Sequence, residues 1–255
     1  MSSTLAAEFE RDGYAVVRGV FRDEQLAAMT VEFDRIVTQL EGSGEEVNAR
    51  WGGPRTAALD GGASTVLHTH NVQQYSAVWL RALLDEHFLD ACEALLGPDV
   101  VLHHTKLFLK PPRTGAPFPL HQDWSYFPTE RDSMLAAVVH VSASCDEMGG
   151  LRVVPGSHRL GRAEATSGQG ASKVLDRFSM EDSVAIDAAP GDVLFFHAFT
   201  LHGSLPNRSE RPRKTVLVQL HAGDDEEESE TGHPNARLVL RGWNHRATRS
   251  RANRV

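Results

Sequence analysis

VVLHHTKLFLKPP, residues 100–112, is where this chain changes character. Up to Gly97 the apolar residues recur at helical spacing; from Val100 onward they come in short runs of Val, Leu and Phe broken by Pro and Gly. Upstream, residues 3–11 and 22–41 read as helices, YAVVRGV (14–20) as a short strand between them, and 76–97, closed by Gly97, as one helix. The Gly-rich stretch 41–65 reads as a loop. Downstream, 135–144, 151–157, 183–197 and 214–222 repeat the strand signature. Helices followed by strands predict an α+β, mainly β chain, with helices packed on one side of an antiparallel sandwich or barrel. No internal repeat or linker divides the sequence. The expectation is one domain over 1–255: a mainly helical support region at 1–99, a β core at 100–222 and a charged extension at 223–255.

Composition narrows the function. A net charge of −8 disfavours a general nucleic-acid binder, and the run DDEEESE (224–230) reads as a solvated loop. No apolar run of about 18 residues is present and the start lacks a secretory pattern, so no membrane partner and a cytoplasmic location are expected. Cys92 and Cys145 are the only cysteines, too few for a disulfide framework or a thiolate metal cage. Any metal must be held by nitrogen and oxygen.

HQDW (121–124) offers such a set. In an extended strand His121 and Asp123 point to the same face and can grip one ion. A third ligand must come from elsewhere among thirteen histidines. GDVLFFHAFTLHGSLPN holds two candidates: His197 continues the alternation of a strand and reads as a core position, whereas His202, before Gly203, sits where a ligand can project into a cavity. Arg213 follows at the mouth of KTVLVQLHA, and a guanidinium that grips a carboxylate in two places suits the far end of a dicarboxylate. Two histidines and one carboxylate, with open positions, form the arrangement of non-heme iron(II) oxygenases, and the added arginine points to 2-oxoglutarate.

KPP (110–112), HQDWSYFP (121–128), GGLRVVPGSHR (149–159) and GDVLFFHAFTLHGSLPNRSERPRK (191–214) together resemble the phytanoyl-CoA dioxygenase family of iron(II)- and 2-oxoglutarate-dependent oxygenases. The resemblance covers at least residues 98–221 and implies a double-stranded β-helix, a cupin-like jelly roll, with the N-terminal helices packed on one face. It makes His121, Asp123 and His202 the iron ligands and Arg213 the anchor for the 2-oxoglutarate C5 carboxylate. Ser204 would be a further donor to that carboxylate, and Lys106 and Gln122 would line the cosubstrate. Where some relatives carry a tryptophan, this chain reads AAVVHVSAS, so either Val139 or His140 lines that pocket. Three protein ligands leave three positions on an octahedral ion, two for 2-oxoglutarate and one for O2 or water. The implied reaction is hydroxylation coupled to decarboxylation of 2-oxoglutarate to succinate and CO2. Asp123 argues against halogenation, for which related enzymes carry a small residue in place of the acid.

Trp124, Tyr126 and Phe127 are the candidate substrate walls, suited to an alkyl chain or a quaternary ammonium, or else to core packing. The chain ends NRV without a peroxisomal SKL-like address, which favours a small polar metabolite over phytanoyl-CoA. A monomer or homodimer is expected. HTHN (68–71) reads as a loop or pocket rim, His103 and His104 as facing opposite sides of a strand, and His158 as a turn residue stiffening the site. The six arginines after Ala236 read as a solvated tail or a partner for the acidic run. Two alternatives use the same ligands: a non-catalytic cupin-like binding protein, which would be expected to lose Arg213, and a zinc hydrolase, which gives Arg213 no role.

Overall fold

The computed structural model describes residues 2–60, 64–163, 175–228 and 235–252. Its helices are α1 (Ser2–Asp12), α2 (Asp23–Glu41), α3 (Pro54–Asp60), α4 (Val72–Tyr75), α5 (Ala77–Ala82), α6 (Glu86–Leu96) and α7 (Arg249–Ala252). Its strands are β1 (Tyr14–Val17), β2 (Leu67–His70), β3 (Val100–Lys110), β4 (Phe118–His121), β5 (Leu135–His140) and β6 (Leu151–Val153). They continue with β7 (Val184–Ala185), β8 (Val193–His197), β9 (His202–Ser204), β10 (Arg213–Ala222) and β11 (Leu238–Arg241). Among the described residues the strands form a large sheet in the order β1-β8-β5-β10-β3-β11, with β2 also on β3, and a smaller sheet β4-β9-β6-β7. Every strand pairing is antiparallel, and the two sheets close on each other as a jelly roll.

Period-two alternation gives the large sheet two unlike faces. Leu102, Leu107, Leu135, Ala137, Val139, Val193, Phe195, Val216, Val218 and Leu220 pack outward on the helices. There they meet Met29, Phe33, Ile36 and Val37, which recur at helical spacing on α2, and Trp79 and Phe88 from α5 and α6. Each fully buried Leu, Val or Phe contributes roughly 1.5–3 kcal/mol, so this layer carries most of the stability. The opposite face looks across to the small sheet. At one end it is filled by Ala136, Val138, Val153, Ile186, Leu194 and Phe196; the remainder borders a cavity.

Several sequence expectations change. Residues 76–97 form two helices, because Asp85 turns its carboxylate back onto the amides of His87 and Phe88, at 3.0 and 3.2 Å, and starts α6 anew. The 41–65 loop contains α3, and β2, β9 and β11 are short strands that the sequence pattern does not mark. His103 and His104 do not face opposite sides: the β3–β10 register shifts between Gln219 and Leu220, leaving His103 as an extra residue, and the two Nδ1 atoms lie 2.6 Å apart.

The acidic run is structural rather than solvated. Asp225 is 1% exposed and accepts from the Arg131 and Ser133 amides, Glu227 bonds His103 Nε2 at 2.6 Å, and Asp224 and Glu228 pair with Arg131 and Arg162. Ser229 and Glu230 lie outside the described residues, as do the last three. Two arginines of the C-terminal segment are likewise tied down. Arg241, on β11, pairs with Glu86, Asp90 and Glu93 of α6, while Arg246 reaches Glu130 at 3.2 Å and Glu226 at 4.0 Å.

Candidate metal centre and cavity

β4 and β9 pair with His121 directly opposite His202. Residues far apart in sequence thus become a cross-strand pair, their imidazole centroids 4.1 Å apart. Gly203 makes the approach possible, since a Cβ there would stand 2.6 Å from the Phe118 carbonyl oxygen. Gln122 stays extended (φ −112°, ψ 143°), which keeps Asp123 on the same side as His121 although Asp123 already begins a 3₁₀ turn. Asp123 Oδ1 lies 3.7 Å from His121 Nε2 and 3.5 Å from His202 Nε2. The donor atoms of all three buried residues fall within 4.8 Å of one another.

The backbone sets the tautomers. His121 Nδ1 donates to the Pro119 carbonyl at 2.8 Å and His202 Nδ1 to the Thr200 carbonyl at 3.0 Å, leaving both Nε2 lone pairs bare toward Asp123. Burial and then the neighbouring His202 push His121 down to about 3, so its ring is neutral at physiological pH. Gln219 Nε2 donates to Asp123 Oδ2 at 2.6 Å. One carboxylate oxygen is thereby tied and the other faces the imidazoles. Two bare imidazole nitrogens and one free carboxylate oxygen, all buried, fit the nitrogen and oxygen donor set of non-heme iron(II), with the rest of its coordination sphere open to the cavity.

The cavity holds about 330 Å³ and is lined by these three residues, by Arg213, Lys106, Thr215 and Leu217 from the large sheet, and by an aromatic wall. Arg213 is 3% exposed; its Nη1 donates to the Gly149 carbonyl at 2.7 Å, while Nε is buried with no hydrogen-bond partner among the described residues. Burial lowers it to about 10, still fully protonated at neutral pH. A buried guanidinium with a spare N–H and no carboxylate beside it is suited to an anionic ligand. Lys110, its cross-strand neighbour, is also buried and donates to Ser204 Oγ at 2.7 Å and to the Leu205 carbonyl at 2.8 Å. Burial, then Arg213, holds Lys110 well below the usual lysine range.

Among the other residues singled out in the sequence, Lys106, Tyr126 and Phe127 line the cavity. Ser204 is buried with its hydroxyl oxygen already engaged by Lys110. Val139 faces the helical core and Val138 lines the cavity in its place. His140, opposite Thr215, is buried and not among the residues lining the cavity; burial and then Arg213 lower it to about 4. Three residues stand elsewhere than expected. The Gln122 side chain points away from the metal centre: Nε2 donates to the Phe199 carbonyl at 2.6 Å, and Oε1 accepts from Trp124 and Ala163. Trp124 follows it outward and packs under Arg162, 5.4 Å from the ring centroid, so it is not a substrate wall. His158 does not stiffen the site either; its Nε2 meets the Glu10 carbonyl at 3.0 Å and pins α1.

The sequence pattern gives no individual role to Trp51, Phe108, Phe118, Phe196, Gln219 and Lys110. Trp51 stands in the Gly-rich 41–65 stretch, its ring centroid 4.6 Å from that of His121. A lone indole among glycines, with no periodic apolar partners, was the available signal. His68 and His70 lie on a strand, β2, rather than in a loop, and both line the cavity, in keeping with the pocket reading of HTHN.

The fold and the site define a cupin-like jelly roll with a two-histidine, one-carboxylate centre beside a buried arginine. The phytanoyl-CoA dioxygenase family model matches residues 9–215, and the chain belongs to that family. It is 30% identical over 150 residues to a probable alpha-ketoglutarate-dependent hypophosphite dioxygenase of Stutzerimonas stutzeri, a match covering 54% of this chain and 51% of that protein. It is 25% identical over 240 residues to the ectoine dioxygenase of Bordetella parapertussis, covering 86% and 74%. Among solved structures, the non-heme alpha-ketoglutarate-dependent epimerase SnoN from nogalamycin biosynthesis superposes with a TM-score of 0.74 at 25% identity, covering 94% of this chain and 98% of that one. Within the described residues no helix is long and apolar enough to cross a membrane.

Proposed function

We propose that this protein is an iron(II)- and 2-oxoglutarate-dependent dioxygenase that hydroxylates an unactivated C–H bond of a small molecule. The observation that carries the reading is the pairing, in one cavity, of two bare imidazole nitrogens and a free carboxylate oxygen with a buried, carboxylate-free guanidinium. When bound, iron(II) with 2-oxoglutarate and O2 supplies the oxidising power, 2-oxoglutarate leaving as succinate and CO2 and one oxygen atom entering the substrate. His121, Asp123 and His202 hold the metal, and the Pro119 and Thr200 carbonyls keep the histidines in the ligating tautomer. Gln219 fixes Asp123 so that a single oxygen is presented. Arg213 receives the C5 carboxylate, a charge-assisted contact made strong by its burial. Lys110 orients Ser204 at the edge of that contact, and His140 lies behind it, paired with Thr215. The apolar walls exclude water from the reacting carbon.

A zinc hydrolase would have no use for Arg213, and a purely binding module no use for bare Nε2 atoms. The relatives act on compounds as different as hypophosphite and ectoine by name, so their substrates do not carry over. We take the chain to work as one oxygenase domain in the cytoplasm, as monomer or homodimer, without nucleic acid or membrane. The test is succinate release from 2-oxoglutarate by purified protein across a metabolite library. Release that needs iron(II) and O2, and is lost in His202→Ala, supports the reading; release indifferent to iron contradicts it.

A further inference from the structure

We propose that the cavity takes a monoanionic substrate, a carboxylate on a compact apolar body, with Lys106 as its anchor. This deepens the oxygenase reading above, rests on it, and moves Lys106 from the cosubstrate, where the family resemblance puts it, to the substrate.

Asp123 is the one carboxylate among the lining residues, and it is committed to the metal. The cationic side chains of the lining are Arg213 and Lys106. A ferrous ion and the 2-oxoglutarate dianion cancel, and Asp123 offsets Arg213, so the loaded cavity is left with the uncompensated charge of Lys106. Buried charge without a partner is expensive, and the deficit is removed by one negative charge on the substrate. An ammonium or quaternary ammonium group would add a second positive charge where no acid remains to receive it.

Position supports the same assignment. Lys106 pairs with Leu217 on β10, four residues from Arg213, which is about 13 Å along a strand. The two cations therefore start from well-separated points of the sheet. The Lys106 ammonium lies 5.6 Å from the Phe127 ring centroid and makes no ion pair or hydrogen bond among the described residues, unlike Lys110, which is fully engaged. Lys106 is half-buried, and burial lowers it to about 8, so most of it is protonated at neutral pH; an ammonium uncommitted in an aromatic cavity is placed to meet an anion.

The rest of the wall describes the body attached to that anion. Trp51, Phe108, Phe118, Tyr126, Phe127 and Phe196 supply flat apolar surface. A cavity of about 330 Å³ lies at the low end for ligand sites, and 2-oxoglutarate occupies part of it. The substrate must be compact, with an aromatic or branched apolar body.

The test uses protein loaded anaerobically with iron(II) and 2-oxoglutarate, titrated with three matched probes: 3-phenylpropionate, 3-phenylpropanamide and 3-phenylpropylamine. Calorimetry or tryptophan fluorescence reads binding without turnover. The acid is expected to bind about tenfold or more tighter than the amide, and the amine not to bind. Lys106→Met should erase the difference between acid and amide and leave the 2-oxoglutarate dissociation constant within about twofold, while Lys106→Arg keeps the preference. Amide or amine binding as well as the acid, or no saturable binding of the acid at millimolar concentration, overturns the proposal even if the variants fail to fold. So does a Lys106→Met protein that binds 2-oxoglutarate poorly but still prefers the acid, which would assign Lys106 to the cosubstrate. Failure of wild-type protein to bind 2-oxoglutarate with iron(II) appears in the first titration and sinks the oxygenase reading itself.

Discussion

The two faces of β10 carry different kinds of work. Val216, Val218 and Leu220 point into the helical core, while Arg213, Thr215 and Leu217 line the cavity and Gln219 reaches the metal centre. Neighbouring residues on one strand thus serve stability and chemistry separately, and a one-residue slip of register would exchange them. The strand is anchored on both sides, by β3 and β5, so the exchange is prevented by a long ladder of backbone hydrogen bonds. Chemistry that demands fixed side-chain directions is carried by a strand paired along its length on β3 and along most of it on β5.

Substitutions on the two faces should separate cleanly. His202→Ala, across the cavity from β10, is expected to abolish metal binding and turnover while leaving unfolding of the metal-free protein within about 1 kcal/mol of wild type, as read by calorimetric metal titration and urea unfolding. On the core face, Leu220→Ala should cost about 2–5 kcal/mol in urea unfolding, with 2-oxoglutarate affinity of the folded protein retained. On the cavity face, Arg213→Met should raise the KM for 2-oxoglutarate by roughly 10- to 100-fold through loss of charged hydrogen bonds, with metal affinity little changed. Gln219→Leu should weaken metal binding by about tenfold or more, since an unfixed Asp123 is a poorer ligand. A fall in stability from Arg213→Met equal to that from Leu220→Ala would erase the distinction between the faces.

Acid provides a milder probe. Burial, before any other cause, holds His140 and His197 near 4, below the ordinary value of 6.5. Between those values the unfolded chain binds protons that the native chain does not, so stability falls as pH drops from about 6.5 toward 4. Each such histidine contributes a slope of up to about 1.4 kcal/mol per pH unit. Urea midpoints of the metal-free protein measured from neutral pH downward should decline over this window; a flat profile would contradict the burial of these rings.

The same contrast explains what was legible in the sequence. The core face announced itself, because the Val- and Leu-rich alternation of β10 cannot be mistaken for a helix. HQD, HGS and the later arginine were legible as motifs, since ligand chemistry restricts residue type. Trp51, Gln219 and Lys110 were not, because a glutamine or lysine acquires its role from the strand opposite, and nothing local distinguishes it from a surface residue. The extra residue at His103 defeated simple alternation, since a bulge turns consecutive side chains to one side without any marker in composition. The acidic run misled for a related reason. Its partners Arg131, Ser133, His103 and Arg162 all lie distant in sequence.

The most direct measurement is an anaerobic titration of metal-free protein with iron(II) and then 2-oxoglutarate, followed in the visible region. A weak charge-transfer band that appears only with both additions, vanishes in His202→Ala and requires far more 2-oxoglutarate in Arg213→Met is the expected result. Iron binding without a band, or a band unaffected by His202→Ala, would show that these residues do not form the centre described.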